Sequence, residues 1–130
     1  MPKEYCAFCD RINSGEDRTF DENDQYYVRW DLNPVAKGHS VIISKKHIES
    51  FFDLGKKELA SFFDQLKKVK EITDEKFHPD GYNIGINEGE AAGRTIHHLH
   101  IHIIPRYKGD VENPRGGVRH VIPERGDYKS

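Results

Sequence analysis

Apolar residues fall in short clusters along most of this chain, and one long stretch carries them at helical spacing. Tyr26, Tyr27, Val28 and Trp30 crowd segment 25–31, and Val41, Ile42 and Ile43 crowd segment 40–44. Short runs of aromatic and β-branched residues predict strands at both places. Asn33-Pro34 and Lys37-Gly38 punctuate the chain between them. Leu59, Phe62, Phe63, Leu66, Val69 and Ile72 recur every three or four positions, which predicts a helix from about Gly55 to Phe77 with one apolar stripe. Asp53 is its expected cap, and the intervening lysines and glutamates form its solvated face. Pro79-Asp80-Gly81 reads as a turn, 82–87 as a third strand, 88–93 as a loop and 98–104 as a fourth strand ended by Pro105. The last two strands suggest an antiparallel hairpin. Residues 6–24 are polar, with a turn at Asn13-Ser14-Gly15, and the tail from about 108 lacks periodicity and reads as extended. Strand, strand, helix, strand, strand is the order of an α+β domain, and 130 residues suit a single one.

The alternation at His98-Leu99-His100-Ile101-His102-Ile103-Ile104 changes the picture. In a strand the three histidines share one face, spaced about 6.5–7 Å apart, while Leu99, Ile101 and Ile103 point into the core. An imidazole can attack phosphorus, take or give a proton, or bind a metal. The middle one, His100, is best placed as a nucleophile. A metal-binding ladder or a solvated sheet face are the plainer alternatives. His97, in phase with Leu99, is expected to be a partly buried, satisfied histidine, and His78 to complement the end of the helix. Trp30, Tyr26 and Tyr27 are expected in the core or an interface.

Composition narrows the classes. Charged residues make up 32% of the chain but the net charge is −2, which argues against a broad surface that tracks duplex DNA. No apolar run suits a membrane crossing and the start has no secretory signal, so the expected compartment is the cytoplasm. Cys6 and Cys9 are too few for a disulfide scaffold; their spacing is that of a zinc knuckle, with a redox pair or two buried thiols as alternatives.

The histidine alternation resembles the signature of the histidine-triad superfamily. Asp31-Leu32-Asn33-Pro34 with Gly38-His39, Ser44-Lys45-Lys46-His47, and Asn87-Glu88-Gly89 with Gly93-Arg94-Thr95 resemble its other segments, in the same order, over about 27–106. The resemblance implies a five-stranded antiparallel sheet with one long helix and a short N-terminal helix or turn, commonly as a homodimer. It implies a nucleotide hydrolase in which His100 forms a covalent nucleotidyl intermediate. His39 and His102 would contact the phosphate, with His98 completing the triad. Asp31 would bind ribose, with Leu32 and Asn33 beside it, and Asn87, Arg94 and Thr95 would lie near the phosphates. Arg94 departs from the glutamine common in relatives that cleave dinucleoside polyphosphates. The surrounding residues look closer to the fragile-histidine-triad-like, diadenosine polyphosphate hydrolase branch than to nucleoside phosphoramidases. A purine nucleotide is the implied partner, with magnesium as a possible companion of a polyphosphate substrate. Family members with the N-terminal cysteine pair imply a structural zinc held by Cys6, Cys9, His47 and His98. The competing functions are a phosphoramidase and a nucleotide-binding signalling module with little turnover. DNA-end deadenylation would require an added domain for which the chain has no room. The arginines 106, 115, 119 and 125 could reach distal phosphates if the tail folds back.

Overall fold

The computed structural model describes residues 5–10 and 18–128; the turn expected at Asn13-Ser14-Gly15 lies outside them. Six main elements follow in the order β1 (Thr19–Glu22), β2 (Tyr26–Trp30), β3 (Ser40–Ser44), α1 (Lys56–Phe77), β4 (Gly81–Gly85) and β5 (His100–Arg106). The strands form one five-stranded sheet, β1-β2-β3-β5-β4, and every neighbouring pair is antiparallel. This is the α+β architecture that the sequence implied.

β1 has no counterpart in the sequence pattern, because Phe20 is its one apolar residue. It forms by pairing: Phe20 stacks on Trp30 at 3.8 Å, and the Asn23 side-chain oxygen accepts from the amides of Gln25 and Tyr26 at 3.0 and 2.9 Å to turn the chain into β2. β5 starts two residues later than expected and runs through Pro105. Its ladder with β3 stops at Ile103, so Pro105 is paired on one side only, where a missing N–H is tolerated.

The helix begins at Lys56, as expected, but its cap is Gly55 and not Asp53, which belongs to a short 3-10 turn capped by Ser50. Glu58 reaches back to accept from the Gly55 amide at 2.6 Å, supplying the cap that a glycine side chain cannot. The buried face also differs from the expected stripe. Phe62, Gln65, Val69 and Thr73 are buried, whereas Leu59 and Phe63 are exposed. Gln65 is anchored inside by its amide N–H donating to Asp21 at 2.6 Å, although its Oε1 has no partner among the described residues, and Thr73 by its hydroxyl donating to the Val69 carbonyl at 2.7 Å. His78 ends the helix in the left-handed region, φ 53°.

α1 packs through Phe62 and Val69 against Tyr26, Val28, Ile42, Leu99, Ile101 and Ile103. A second cluster, Phe8, Tyr27, Val41 and Ile43, comes from the alternate strand positions and so covers the other sheet face. Gly38 lets the turn before β3 close over the end of α1. Its φ is +87°, and an added Cβ would lie 2.7 Å from the Phe77 ring. Gly38→Ala is therefore expected to destabilise the chain by about 1–3 kcal/mol in denaturant titration; an unchanged midpoint would contradict this packing. Among the described residues, no helix is long and apolar enough to cross a membrane.

Candidate active site and metal centre

Alternation along β5 buries Ile101 and Ile103, with Leu99 buried just before it, and sends His100 and His102 to the face away from α1. There they line a cavity of about 320 Å³ with Asp31, Leu32, Asn33, Asn87, Arg94 and Thr95. Six separate positions predicted from sequence thus meet the two histidines. The volume lies at the small end of the range for small-molecule sites.

Hydrogen bonds assign each imidazole a tautomer. His100 Nδ1 donates to the His98 carbonyl at 2.7 Å, so its Nε2 carries the lone pair. The Val35 amide donates to His39 Nδ1 at 3.2 Å, so His39 Nε2 carries the proton and donates to His102 Nδ1 at 3.0 Å. His102 is left with a proton on Nε2. Asp31 lies 3.5 Å from His39 Nε2 and 3.8 Å from His102 Nδ1, and its other oxygen accepts from the Asn33 amide at 2.8 Å. Asp31, His39 and His102 are close enough for a cation, but hydrogen bonds occupy both ring nitrogens of His39. Burial lowers the pKa of His39, His100 and His102, against a smaller opposing effect of Asp31 in each case. The rings are neutral at neutral pH, as a lone-pair nucleophile requires.

The third triad histidine is elsewhere. His98 precedes β5, is fully buried, and donates from Nε2 to the Ser44 carbonyl at 2.7 Å. Its Nδ1 lone pair therefore faces Cys6 Sγ at 3.4 Å, Cys9 Sγ at 3.5 Å and His47 Nδ1 at 3.2 Å, with Cys9 Sγ 3.1 Å from His47 Nδ1. Two thiols and two imidazole nitrogens converge within 4.8 Å of one another, a donor set that can hold a metal ion.

The HIT domain model matches residues 14–109. The chain belongs to the HIT family. An uncharacterised HIT-like protein of Methanocaldococcus jannaschii is 41% identical over 118 residues, 89% of this chain and 91% of that protein. A bis(5'-adenosyl)-triphosphatase of Dictyostelium discoideum is 37% identical over 82 residues, 63% of this chain and 55% of that enzyme. A crystal structure of a zinc-bound histidine triad family protein from Mycobacterium smegmatis superimposes with a TM-score of 0.70 at 32% identity, covering 83% of this chain and 79% of that one.

This HIT domain departs from the one-face picture of its triad. A histidine before the strand is free of the pleat, so His98 turns toward Cys6, Cys9 and His47 and is absent from the cavity lining, although the sequence placed it in both sites. His39 sits one shell back, 4% exposed behind His102. His97 is half-exposed, not partly buried, and faces Glu90 at 4.0 Å. Arg94 is nearly buried, with Nη1 donating to the Glu49 carbonyl at 2.6 Å and its Nε unpartnered. The tail arginines lie outside the cavity lining: Arg106 grips Asp110 with two bonds at 2.7 and 2.8 Å, Arg115 binds Asp127, and Arg119 binds the Gly126 carbonyl. The tail makes two 3-10 turns, Gly117–Val121 and Pro123–Arg125.

Arg29, Val41 and Ile96 also line the cavity without having been expected there, and Phe8 is the missed residue nearest the chemistry. It lines the cavity, its ring centre is 4.8 Å from that of His100, and the Arg29 guanidinium lies 5.0 Å over it. A single aromatic between two cysteines carries no periodic signal.

Proposed function

We propose that this HIT domain hydrolyses dinucleoside polyphosphates, such as diadenosine tri- or tetraphosphate, through a nucleotidyl intermediate on His100. The carrying observation is the bond from His100 Nδ1 to the His98 carbonyl, which leaves the Nε2 lone pair for attack. Nε2 forms a bond to the α-phosphorus as the bond to the bridging oxygen breaks and the remaining phosphate chain departs with the electron pair. Positive charge developing on the imidazole strengthens its bond to the carbonyl. The His102 Nε2–H, aligned by His39, donates to a phosphate oxygen. Water then attacks phosphorus, the P–N bond breaks, a nucleoside monophosphate leaves, and the water proton passes to solvent. Asp31 and Asn33 are assigned to the ribose end, with Leu32 against the base and Asn87 and Thr95 toward the phosphates. A divalent ion such as magnesium would arrive with the substrate.

Arg94 favours this reading over the phosphoramidase alternative, because a permanent cation suits a polyanionic leaving group. Arg94→Met, which removes the cation without installing the relatives' glutamine, is expected to lower the preference for diadenosine tetraphosphate over an adenosine phosphoramidate by about tenfold, the worth of one charge-assisted hydrogen bond. The panel that tests the function is diadenosine tri- and tetraphosphate with that phosphoramidate. Preferential turnover of the dinucleotides supports it. Preferred phosphoramidate cleavage, or tight nucleotide binding without turnover, replaces it.

We further assign zinc to Cys6, Cys9, His47 and His98. Zn–S bonds of about 2.3 Å and Zn–N bonds of about 2.0–2.1 Å in a tetrahedron put S···N near 3.5 Å and N···N near 3.3 Å. The observed separations are 3.1–3.5 Å and 3.2 Å, which supports the fit. When bound, zinc supplies a closed crosslink between the N-terminal segment and the sheet. The chain is read as one domain that forms a homodimer, since β4 is a sheet edge with Ile84 exposed on it. A monomer at all concentrations in sedimentation would remove the dimer.

A further inference from the structure

We propose that metal binding at Cys6, Cys9, His47 and His98 controls the His100 cavity through Phe8, so that affinity for adenosine monophosphate depends on metal occupancy. The inference rests on the nucleotide reading of that cavity for its affinity arm alone.

Phe8 lies between the two cysteines, two residues after one and one before the other. The turn carrying them is closed by the Asp10 amide on the Cys6 carbonyl at 3.1 Å. The cysteines point to the metal cluster while the Phe8 ring, 6% exposed, forms a wall of the cavity. The ring stands edge-on to two histidines, 5.9 Å from His98 and 4.8 Å from His100. It thus touches one metal ligand and the nucleophile together. Its backbone carbonyl accepts from the buried Tyr27 hydroxyl at 2.6 Å, which fixes the docked position.

The cluster and the cavity are therefore two sides of one short turn. With the ion in place, both cysteines are tied to His47 and His98 and the Phe8 ring is held against His100. Without it, no cation joins the two sulfur atoms to the rings of His47 and His98, and Cys9 and His47 are solvent-exposed. The turn then loses its crosslink, and the cavity loses its wall beside the nucleophile. Coupling of this kind is reciprocal, so bound nucleotide also tightens the metal. The ion itself need not touch the nucleotide.

The test combines NMR of the His100 ring protons with calorimetric titration of adenosine monophosphate, on full-length protein loaded with zinc and after chelation. Chelation is expected to move the His100 ring resonances and weaken binding about tenfold, while the amides of Val28, Ile42 and Ile101 keep their positions. Zinc-loaded Phe8→Leu is expected to bind about tenfold more weakly already, with no further loss on chelation. Cys9→Ser, which keeps the ring, is expected to reproduce the chelated spectrum at His100. Unchanged His100 resonances on chelation would overturn the proposal, as would full metal dependence in Phe8→Leu. Disappearance of the sheet amides on chelation would overturn it too, by making the ion a cofactor of the whole fold. If zinc-loaded native protein fails to bind the nucleotide, the nucleotide reading fails, and the His100 resonances still decide the coupling.

Discussion

Replacing His100 by glycine is expected to lower turnover of diadenosine polyphosphates by about four orders of magnitude while leaving nucleotide affinity within a few-fold. The expectation follows from where the ring is held. The His98 carbonyl accepts a hydrogen bond from His100 Nδ1–H, and burial favours the neutral ring. Removing it deletes the attacking atom but leaves Asp31, Asn33, Arg94 and His102 around the substrate. The space left by the ring should admit free imidazole, which partly restores turnover because it supplies the same nitrogen without a tether. Rapid-quench mass spectrometry should detect a nucleotidyl adduct on the native protein and none on the variant. Full turnover by His100→Gly would end the nucleophile assignment. Loss of binding together with loss of turnover would show instead that the ring shapes the pocket.

Stripping the metal is expected to have the next largest effect, on stability. An ion bound by the folded chain alone, at a thousand times its dissociation constant, stabilises by about 4 kcal/mol. For a chain of this size that corresponds to a melting temperature lower by roughly 15 °C. Cys6→Ser and Cys9→Ser should each reproduce most of the loss, because a serine hydroxyl is a poor replacement for a thiolate ligand. Replacing His47 should act likewise, whereas exposed His97 should be silent, since it faces Glu90 and is no part of the cluster. A melting temperature insensitive to chelation, with no zinc found in protein purified without added chelator, would remove the metal assignment.

The residues that make the cavity were largely legible beforehand, the histidines from a local pattern and most of the others from resemblance to a family. Alternation from His98 onward set which residues of β5 face the core, and burial of Leu99, Ile101 and Ile103 follows it. The segments around Asp31 and Arg94 were assigned to the site by their resemblance to histidine-triad proteins, and they converge with His100 and His102 in one cavity. The helix was visible in its period, but its buried face was not. Gln65 and Thr73 are polar residues on that face, and the partners that anchor them, Asp21 and the Val69 carbonyl, are seen only once the strand and helix are placed.

Taken alone, the sequence determined what depends on period and on residue chemistry: an α+β order, one helix, the core-facing side of β5, and a cysteine pair with ligand spacing. Tertiary structure decided what depends on a partner far along the chain. It made a strand of Thr19–Glu22 by pairing it with β2, though that segment has little apolar character of its own. It turned His98 out of the triad's face toward Cys6, 92 residues away. It placed Phe8 against His100, a contact on which neither residue's neighbours bear. The physical reason is the same in each case: a strand's period fixes which side a residue faces, whereas a ring's tautomer, a ligand set or an edge-on contact is fixed by the group it meets.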